Sequence, residues 1–458
     1  MTVFVTTFLV ALVYLSDIQV AAFIKSNDFG IENHLGSRTP YRFKYNKNDS
    51  RVIYENCRDH KIWMVIRHGT RLPGVKDIMK AQNLTKIKQE ILLQHSNGKG
   101  QLSMKQLKQM EDWYNDIPLE RDKFLTLEGQ NEMIQLAERM QRRFPHAMKQ
   151  SYDNKTILFR YTATQRAQQS ARYFATGLFG EKDVKRIVFP PAHKIDKVLR
   201  FYKYCDKWQK QVKKNPETYK EYNLFGISRE MNETLEYVSK RLGLTNVLTL
   251  EMVNTIYKLC GYETAWHKRH ISVWCNAFDD KSIKVLEYYH DLRSYWLDGY
   301  ANELTYRQGC VSMRHMFNSL TKENRPRATF LFTHSGTLVK ILAHLGLYKP
   351  EAPLTGSNMV NDRQWRTSDI DSFAANLAFV LFKCKGGDRV LTLHQEKIVR
   401  LPMCSEDLCP LKKLTNYFQD SIHNCNFNEI CGTVEGKDEA TQATKSKLNL
   451  TLRVNEEL

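Results

Sequence analysis

Two arginines lie close to one histidine in the segment R-H-G-T-R-L-P at positions 67–73. The positive charges of Arg67 and Arg71 disfavour protonation of His68, so the arrangement is costly unless an anion lies between the guanidinium groups. Planar guanidinium groups match the oxygen atoms of phosphate, and a neutral imidazole can attack phosphorus. The segment therefore predicts phosphoryl transfer through a phosphohistidine formed on His68.

Two further candidate site residues follow apolar segments that are typical of buried strands. Such segments occur at 62–66, 157–161 and 329–332, and each ends at a polar loop. Ligands of open α/β sheets bind beyond the carboxyl ends of the strands. Arg166 follows the second segment and His334 the third, so both are expected beside His68. Alone, Arg166 could be a surface residue and His334 a structural histidine; their joint placement favours a site.

The order of the predicted elements, in which strands, loops and helices recur, indicates an α/β fold. Two more strands are predicted at 377–382 and 390–393. Helices are predicted within 75–113, over 127–144, from Gln165 to a stop at Gly177, and over 338–345. Residues 195–300 have helical periodicity and no convincing strand. We therefore predict a discontinuous α/β domain (45–194 and 301–432) with a smaller α-helical insertion domain (195–300).

The chain is basic. It has 68 Lys and Arg against 50 Asp and Glu, and this net charge of +18 attracts polyanions such as nucleic acid, anionic lipid or phosphorylated small molecules. Its 42% of hydrophobic residues supply a sizeable core, which excludes disorder for the bulk of the 458 residues. The sequence has no H-E-x-x-H, C-x-x-C, P-loop or G-x-G-x-x-G motif, so we expect no metal and no cofactor.

Several features predict the secretory pathway. An apolar run at 3–15, followed by Ala21 and Ala22, indicates a signal peptide over 1–22. Ten cysteines and five glycosylation sequons lie beyond it. The sequons begin at Asn48, Asn83, Asn154, Asn232 and Asn449. No later stretch is apolar enough for a membrane span.

The location is therefore expected to be the lumen of the endoplasmic reticulum or the exterior. The final residues, N-E-E-L, resemble a retention signal but do not decide between retention and secretion. The polar tail at 433–458 is predicted to be disordered. Two disulfides are predicted because each closes a short loop in a region with little core, Cys260–Cys275 and Cys425–Cys431.

Segment 67–73 fits the R-H-G-x-R-x-P signature, so the chain resembles the histidine acid phosphatases. Other segments resemble the multiple inositol polyphosphate phosphatase branch, among them 125–129, 166–167, 199–200, 274–275 and 284–288. The resemblance implies a histidine-phosphatase-like α/β domain, with a mixed sheet flanked by helices, and a smaller inserted all-α domain. It also implies hydrolysis of phosphomonoesters of inositol hexakisphosphate (phytate) and lower inositol polyphosphates, with 2,3-bisphosphoglycerate as a further candidate substrate.

The resemblance also assigns roles to residues. His68 is the nucleophile, and the transferring phosphoryl group is bound by Arg67, Arg71 and Arg166 with help from His334. Next to the motif, Thr70 and Lys76 are candidate substrate contacts.

The chain departs from the family at the general acid. The family has Asp directly after the second histidine, or Glu one residue later in this branch, whereas this chain has Ser335 and Gly336 after His334. Loss of general-acid help costs about 10²–10⁴ in rate. Three functions stay open: a phosphatase for inositol polyphosphates that uses another carboxyl or water, a pseudophosphatase that binds polyanions, and a general acid phosphatase. The expected partner is a small polyphosphate, not nucleic acid; the oligomeric state is not indicated.

Overall fold

The structure is a computed structural model that describes residues 30–149 and 151–432. The predicted signal peptide (1–22), the tail (433–458) and the sequon at Asn449 lie outside these residues. The other four sequon asparagines are exposed, as glycosylation requires: Asn48, Asn83, Asn154 and Asn232.

A mixed sheet of seven strands forms the centre of the α/β region. The strands are β1 (Cys57–Arg67), β2 (Ile157–Tyr161), β3 (Ala328–Thr333), β4 (Asn376–Cys384), β5 (Gly387–His394), β6 (Lys397–Ile398) and β7 (Leu408–Pro410). Their order is β2-β3-β1-β4-β5-β6, and β7 pairs with β5. β1, β2 and β3 are parallel, while β4 is antiparallel to β1. The predicted fold class and the five predicted strands are confirmed.

Helices cover both faces of the sheet, which is why the central strands are apolar on both sides. Trp63 and Val65 of β1 face one hydrophobic cluster, and Met64 faces the other. Arg67 at the end of β1 pairs in register with Thr333 at the end of β3. The residues that follow these two strands therefore emerge side by side.

The helices are α1 (Val75–Gln82), α2 (Leu84–Ser96), α3 (Met104–Asp112), α4 (Leu127–Arg143), α5 (Gln165–Asp183), α6 (Asp206–Trp208), α7 (Lys220–Phe225), α8 (Arg229–Arg241), α9 (Leu250–Trp266), α10 (Asp280–Asp298), α11 (Glu303–Arg307), α12 (Cys310–Thr321), α13 (Ser335–His344), α14 (Thr367–Ile370), α15 (Leu411–Tyr417), α16 (Gln419–His423) and α17 (Phe427–Cys431). Every regular element within 195–300 is helical. Trp274 of this segment and Trp63 of β1 belong to one hydrophobic cluster. The segment thus shares one hydrophobic core with the sheet, and its division into a separate domain stays a prediction.

Gly177 does not end the helix that begins at Gln165, which continues to Asp183. A Cβ atom added to Gly177 would collide with the carbonyl oxygen of Ile134 on α4. Gly177 therefore allows α4 and α5 to pack closely. The left-handed conformation that interrupts α5 lies at Gly180, with φ of 79°.

All ten cysteines form disulfides. The pairs are Cys57–Cys384, Cys205–Cys431, Cys260–Cys275, Cys310–Cys425 and Cys404–Cys409. The predicted Cys260–Cys275 bond is present, but the predicted Cys425–Cys431 bond is wrong. α17 packs against α6 and α16 packs against α12, which brings each of these two cysteines to a partner distant in sequence. Loop length alone could not reveal this packing.

Candidate active site

The loops after β1, β2 and β3 converge at one edge of the sheet. The imidazole centroids of His68 and His334 are 5.5 Å apart. Arg166 lies in the first turn of α5, and its Nη2 is 3.4 Å from Nδ1 of His334. The structure therefore brings together the residues that sequence analysis selected at three separate strand ends.

The loop after β1 is held against the start of α4 by two glycines. A Cβ atom on Gly69 would collide with the carbonyl oxygen of Gly129, and one on Gly129 would collide with that of Thr70. The Thr126 backbone N–H donates to the Thr70 carbonyl oxygen at 2.9 Å. The Gly69 backbone N–H donates to Oγ of Ser170 at 3.2 Å. These contacts fix the backbone next to His68 without occupying its ring.

His68 is oriented as a nucleophile. Its Nδ1 is 2.9 Å from the carbonyl oxygen of Gly69. A carbonyl only accepts, so Nδ1 carries the hydrogen and Nε2 keeps its lone pair. Burial, followed by the charge of Arg166, holds the pKa of His68 well below its usual value. The imidazole is therefore neutral and can attack phosphorus.

His334 is held in the opposite tautomer. Arg166 donates to its Nδ1, so its Nε2 carries the hydrogen and donates to Oγ1 of Thr162 at 2.9 Å. Burial, with the charges of Arg166 and Arg200, holds the pKa of His334 well below its usual value. A bound phosphate dianion would offset the charges of these arginines and so raise the pKa of His334 again.

One nitrogen of the Arg67 guanidinium is bonded to the protein, and another is available to a ligand. Its Nη1 donates to the carbonyl oxygens of Ser37, Asp371 and Ser372, and lies 3.3 Å from Oδ1 of Asp371. Its buried Nε finds no acceptor within the described part of the chain. The guanidinium is thus fixed in place while Nε–H stays available to an anion.

Arg71 and Arg166 add two more positive charges next to Arg67. Burial, and then repulsion by Arg71 and Arg200, lowers the pKa of Arg166 to about 10. The buried Nε of Arg166 likewise has no acceptor among residues 30–149 and 151–432. Arg71 lies over the ring of Tyr262, 5.6 Å from its centroid. A bound anion would relieve the repulsion between these groups.

Arg200 joins the cluster although sequence reasoning did not select it. Its backbone position is fixed through Leu199, whose carbonyl accepts from Oγ1 of Thr333 and of Thr337 at 2.6 Å each. Its buried Nε has no acceptor in the described residues. Arg200 follows no strand, so the strand-end rule misses it. The only signal was its presence in a segment that resembles the inositol polyphosphate phosphatase branch.

The two predicted substrate contacts, Thr70 and Lys76, differ in their exposure to solvent. Thr70 is fully buried, and its backbone N–H and Oγ1 donate to the carboxyl of Glu132 at 2.7 and 2.8 Å. Burial raises the pKa of Glu132 to about 7. Lys76 is exposed on α1. The structure thus does not group either side chain with the arginines around His68, and their roles in substrate binding stay predictions.

Comparison with known proteins places this geometry in a family. A model of the histidine phosphatase superfamily (branch 2) matches residues 60–403. The chain belongs to this superfamily. Among histidine phosphatases, multiple inositol polyphosphate phosphatase 1 of Drosophila melanogaster is 31% identical over 386 residues, which cover 81% of this chain and 82% of the relative. The human protein of that name is 28% identical over 425 residues, which cover 86% and 85%.

Solved histidine phosphatase structures share the fold. The phytase from D. castellii aligns with a TM-score of 0.71 at 17% identity, covering 89% of this chain and 88% of that one. The Bifidobacterium longum multiple inositol polyphosphate phosphatase in complex with phosphate aligns with a TM-score of 0.62 at 14% identity, covering 81% and 94%. These similarities agree with the sheet and helices described here.

Proposed function

We propose that the chain is a phosphatase that hydrolyses phosphomonoesters of inositol hexakisphosphate and lower inositol polyphosphates, with 2,3-bisphosphoglycerate as a further candidate substrate. The observation that carries this proposal is the neutral His68, whose Nε2 keeps its lone pair, in a cluster of four arginines that surrounds His68 and His334. Three of them have a buried Nε–H without an acceptor in the described residues: Arg67, Arg166 and Arg200. Such donors suit the oxygens of a phosphoryl group.

The reaction has two steps. The arginines bind the phosphoryl oxygens, Nε2 of His68 attacks phosphorus, and the bond from phosphorus to the ester oxygen breaks. The leaving oxygen takes a proton and departs as the alcohol. Water then attacks the phosphohistidine, which breaks the P–N bond and releases inorganic phosphate. His334, held by Thr162 and by Arg166, lies beside the same phosphoryl group and helps to position Arg166.

Cations beyond the reacting centre favour a substrate with several phosphates. Arg38 lies over the ring of Tyr262, 5.2 Å from its centroid, and shares that ring with Arg71. Lys258, whose Nζ is 3.1 Å from Asp77, has its pKa lowered by burial and by Arg38. A monoester would leave this positive field unused, whereas neighbouring phosphates of a polyphosphate would occupy it.

Phosphate release from inositol hexakisphosphate tests the proposal. The purified chain should release phosphate, and His68→Ala should release none while remaining folded. The competing function is a pseudophosphatase, which the sequence Ser335-Gly336 favours because neither residue is a carboxylic acid. Saturable binding of inositol hexakisphosphate without phosphate release by the unmodified chain would favour that function.

The secretory pathway is the proposed location, in the lumen of the endoplasmic reticulum or outside the cell. Five disulfides and four exposed sequon asparagines support it. No helix within the described ranges is both long and apolar enough to cross a membrane. A shift in mobility after glycosidase treatment of the protein from its native cells tests the assignment.

A further inference from the structure

A buried carboxyl from a distant segment lies behind the residue that follows His334. Ser335 opens α13, and its Oγ is 2.5 Å from Oδ2 of Asp371, which follows α14. Asp371 is only 2% exposed, whereas Ser335 is partly exposed. Position 335 is where the H-D pattern of the family has its acid. The chain therefore has a carboxyl within hydrogen-bond distance of that position, supplied by another part of the fold.

We infer that Ser335 passes a proton to the leaving oxygen and that Asp371 supplies it. As the ester bond breaks, the Ser335 O–H proton moves to the leaving oxygen and the Asp371 carboxyl proton moves to Oγ of Ser335. Asp371 is left as a carboxylate. When water attacks the phosphohistidine, its proton returns through Ser335 to Asp371, so the cycle closes. Ser335 is then the catalytic donor and Asp371 a residue that acts through it.

The surroundings of Asp371 suit this proton cycle. Burial raises its pKa to about 6, opposed by Arg67 on β1 and by the hydrogen bond from Ser335, and reinforced by Asp298 on α10. Asp298 itself pairs with Lys340. Oδ1 of Asp371 faces Arg67 and Oδ2 faces Ser335. Protonation of Oδ2 therefore leaves the contact of Oδ1 with Nη1 of Arg67, at 3.3 Å, in place.

The other acidic group near position 336 is a poorer donor. A Cβ atom on Gly336 would lie 3.4 Å from the ring of Tyr202, so this tyrosine lies beside the position that carries Glu in the H-A-E pattern. Burial raises the pKa of the Tyr202 hydroxyl above its usual value. A carboxyl that titrates near neutral pH transfers a proton to an alkoxide more readily than such a phenol.

A purely structural role makes different predictions. If Asp371 served only to hold Arg67, Ser335 would not matter, and loss of the Asp371 charge would weaken phosphoryl binding for every substrate alike. A proton relay is needed only for poor leaving groups. Inositol phosphates expel a basic alkoxide, whereas p-nitrophenyl phosphate expels a stabilised phenolate that needs little protonation.

The test compares Ser335→Ala and Asp371→Asn on these two substrates, with Asp369→Asn as the matched control. Asp369 lies in the adjacent α14, where its exposed carboxyl pairs with the buried Lys44 and with Arg366. For inositol hexakisphosphate, kcat/KM should fall by about 10²–10⁴ in Ser335→Ala and in Asp371→Asn, and the double variant should lose little more. For the aryl ester, each variant should stay within several-fold of the unmodified chain. The control should match the unmodified chain on both substrates.

The pH profile adds a readout that a structural role would not move. Since Asp371 must be protonated to supply the proton to Ser335, kcat/KM for inositol hexakisphosphate should decline as pH rises through about 6, the pKa of Asp371. Asp371→Asn should lose that decline. The substrate phosphates also titrate near pH ~6, so the profile of each variant is compared on the same substrate.

Equal losses on both substrates, or a Ser335→Ala variant with full activity on inositol hexakisphosphate, would overturn the relay. Because the relay rests on the proposed phosphatase function, a chain that hydrolyses neither substrate would overturn both. A chain that is active but indifferent to Ser335→Ala would overturn the relay alone. Competitive inhibition by inorganic phosphate shows that each variant keeps its phosphate-binding site. If Asp371→Asn does not fold, the result for Ser335→Ala alone decides between the two roles.

Discussion

Replacement of the buried Glu132 by Gln should stabilise the protein relative to the unmodified chain at high pH. At low pH the two proteins should be equally stable. In the native state, burial raises the pKa of Glu132 from 4.5 to about 7, although the hydrogen bonds from Thr70 lower it. The native state thus binds the proton more tightly than the unfolded state, so this group lowers stability as pH rises from 4.5 to 7. At 1.36 kcal/mol for each pKa unit, the loss is roughly 3 kcal/mol. Gln mimics the protonated carboxyl and does not titrate.

Urea unfolding with the disulfides intact measures the effect. Below about pH 4.5 the two proteins should have similar free energies of unfolding, and near pH ~8 Glu132→Gln should be more stable by roughly 3 kcal/mol. Other buried carboxyls titrate in both proteins, so their contribution cancels in the difference. A difference that does not change with pH, or that favours the unmodified chain at high pH, would refute the raised pKa of Glu132.

Three other outcomes are expected. Arg166→Ala and Arg200→Ala should each lower kcat/KM on both substrates by about 10²–10³ through loss of a phosphoryl donor; the solvent-facing Arg229→Ala on α8 is the control, and wild-type kinetics of either site variant would remove that arginine from the site. Peptide mapping without reduction should recover two long-range disulfides, Cys205–Cys431 and Cys310–Cys425; a peptide that joins Cys425 to Cys431 would contradict the fold at its C-terminal helices. Gly336→Glu, placed in the Ser335→Ala background, should restore turnover of inositol hexakisphosphate far more than that of the aryl ester, because it returns a carboxyl one residue further along; equal gains would argue against a missing proton donor.

Much of the fold was accessible from sequence because its signals are local. Apolar runs that stop abruptly at a polar loop marked β1, β2 and β3, and parallel strands must end at a common edge. That rule was sufficient to group His68, Arg166 and His334, which the structure places together. A motif that follows a strand is therefore the part of a site that sequence reasoning reaches best.

The remaining site residues depend on contacts that are distant in sequence. Arg200 is positioned by hydroxyl groups of Thr333 and Thr337 that hold Leu199, and no local pattern reports such a bond. Asp371 lies 36 residues after Ser335, with the hydrogen bond between them made only by the folded chain. The disulfide error has the same origin, since helix packing decides which cysteines meet.

Detection of the covalent intermediate on His68 directly tests nucleophilic attack by this histidine. Inositol hexakisphosphate labelled with ³²P is mixed with the purified chain, the reaction is stopped after milliseconds in alkali, and the labelled peptide is sequenced. The label should be stable in alkali, labile in acid and confined to the peptide that contains His68, and His68→Ala should carry none. Phosphate release without any protein-bound label, or a label that persists in His68→Ala, would contradict attack by this histidine.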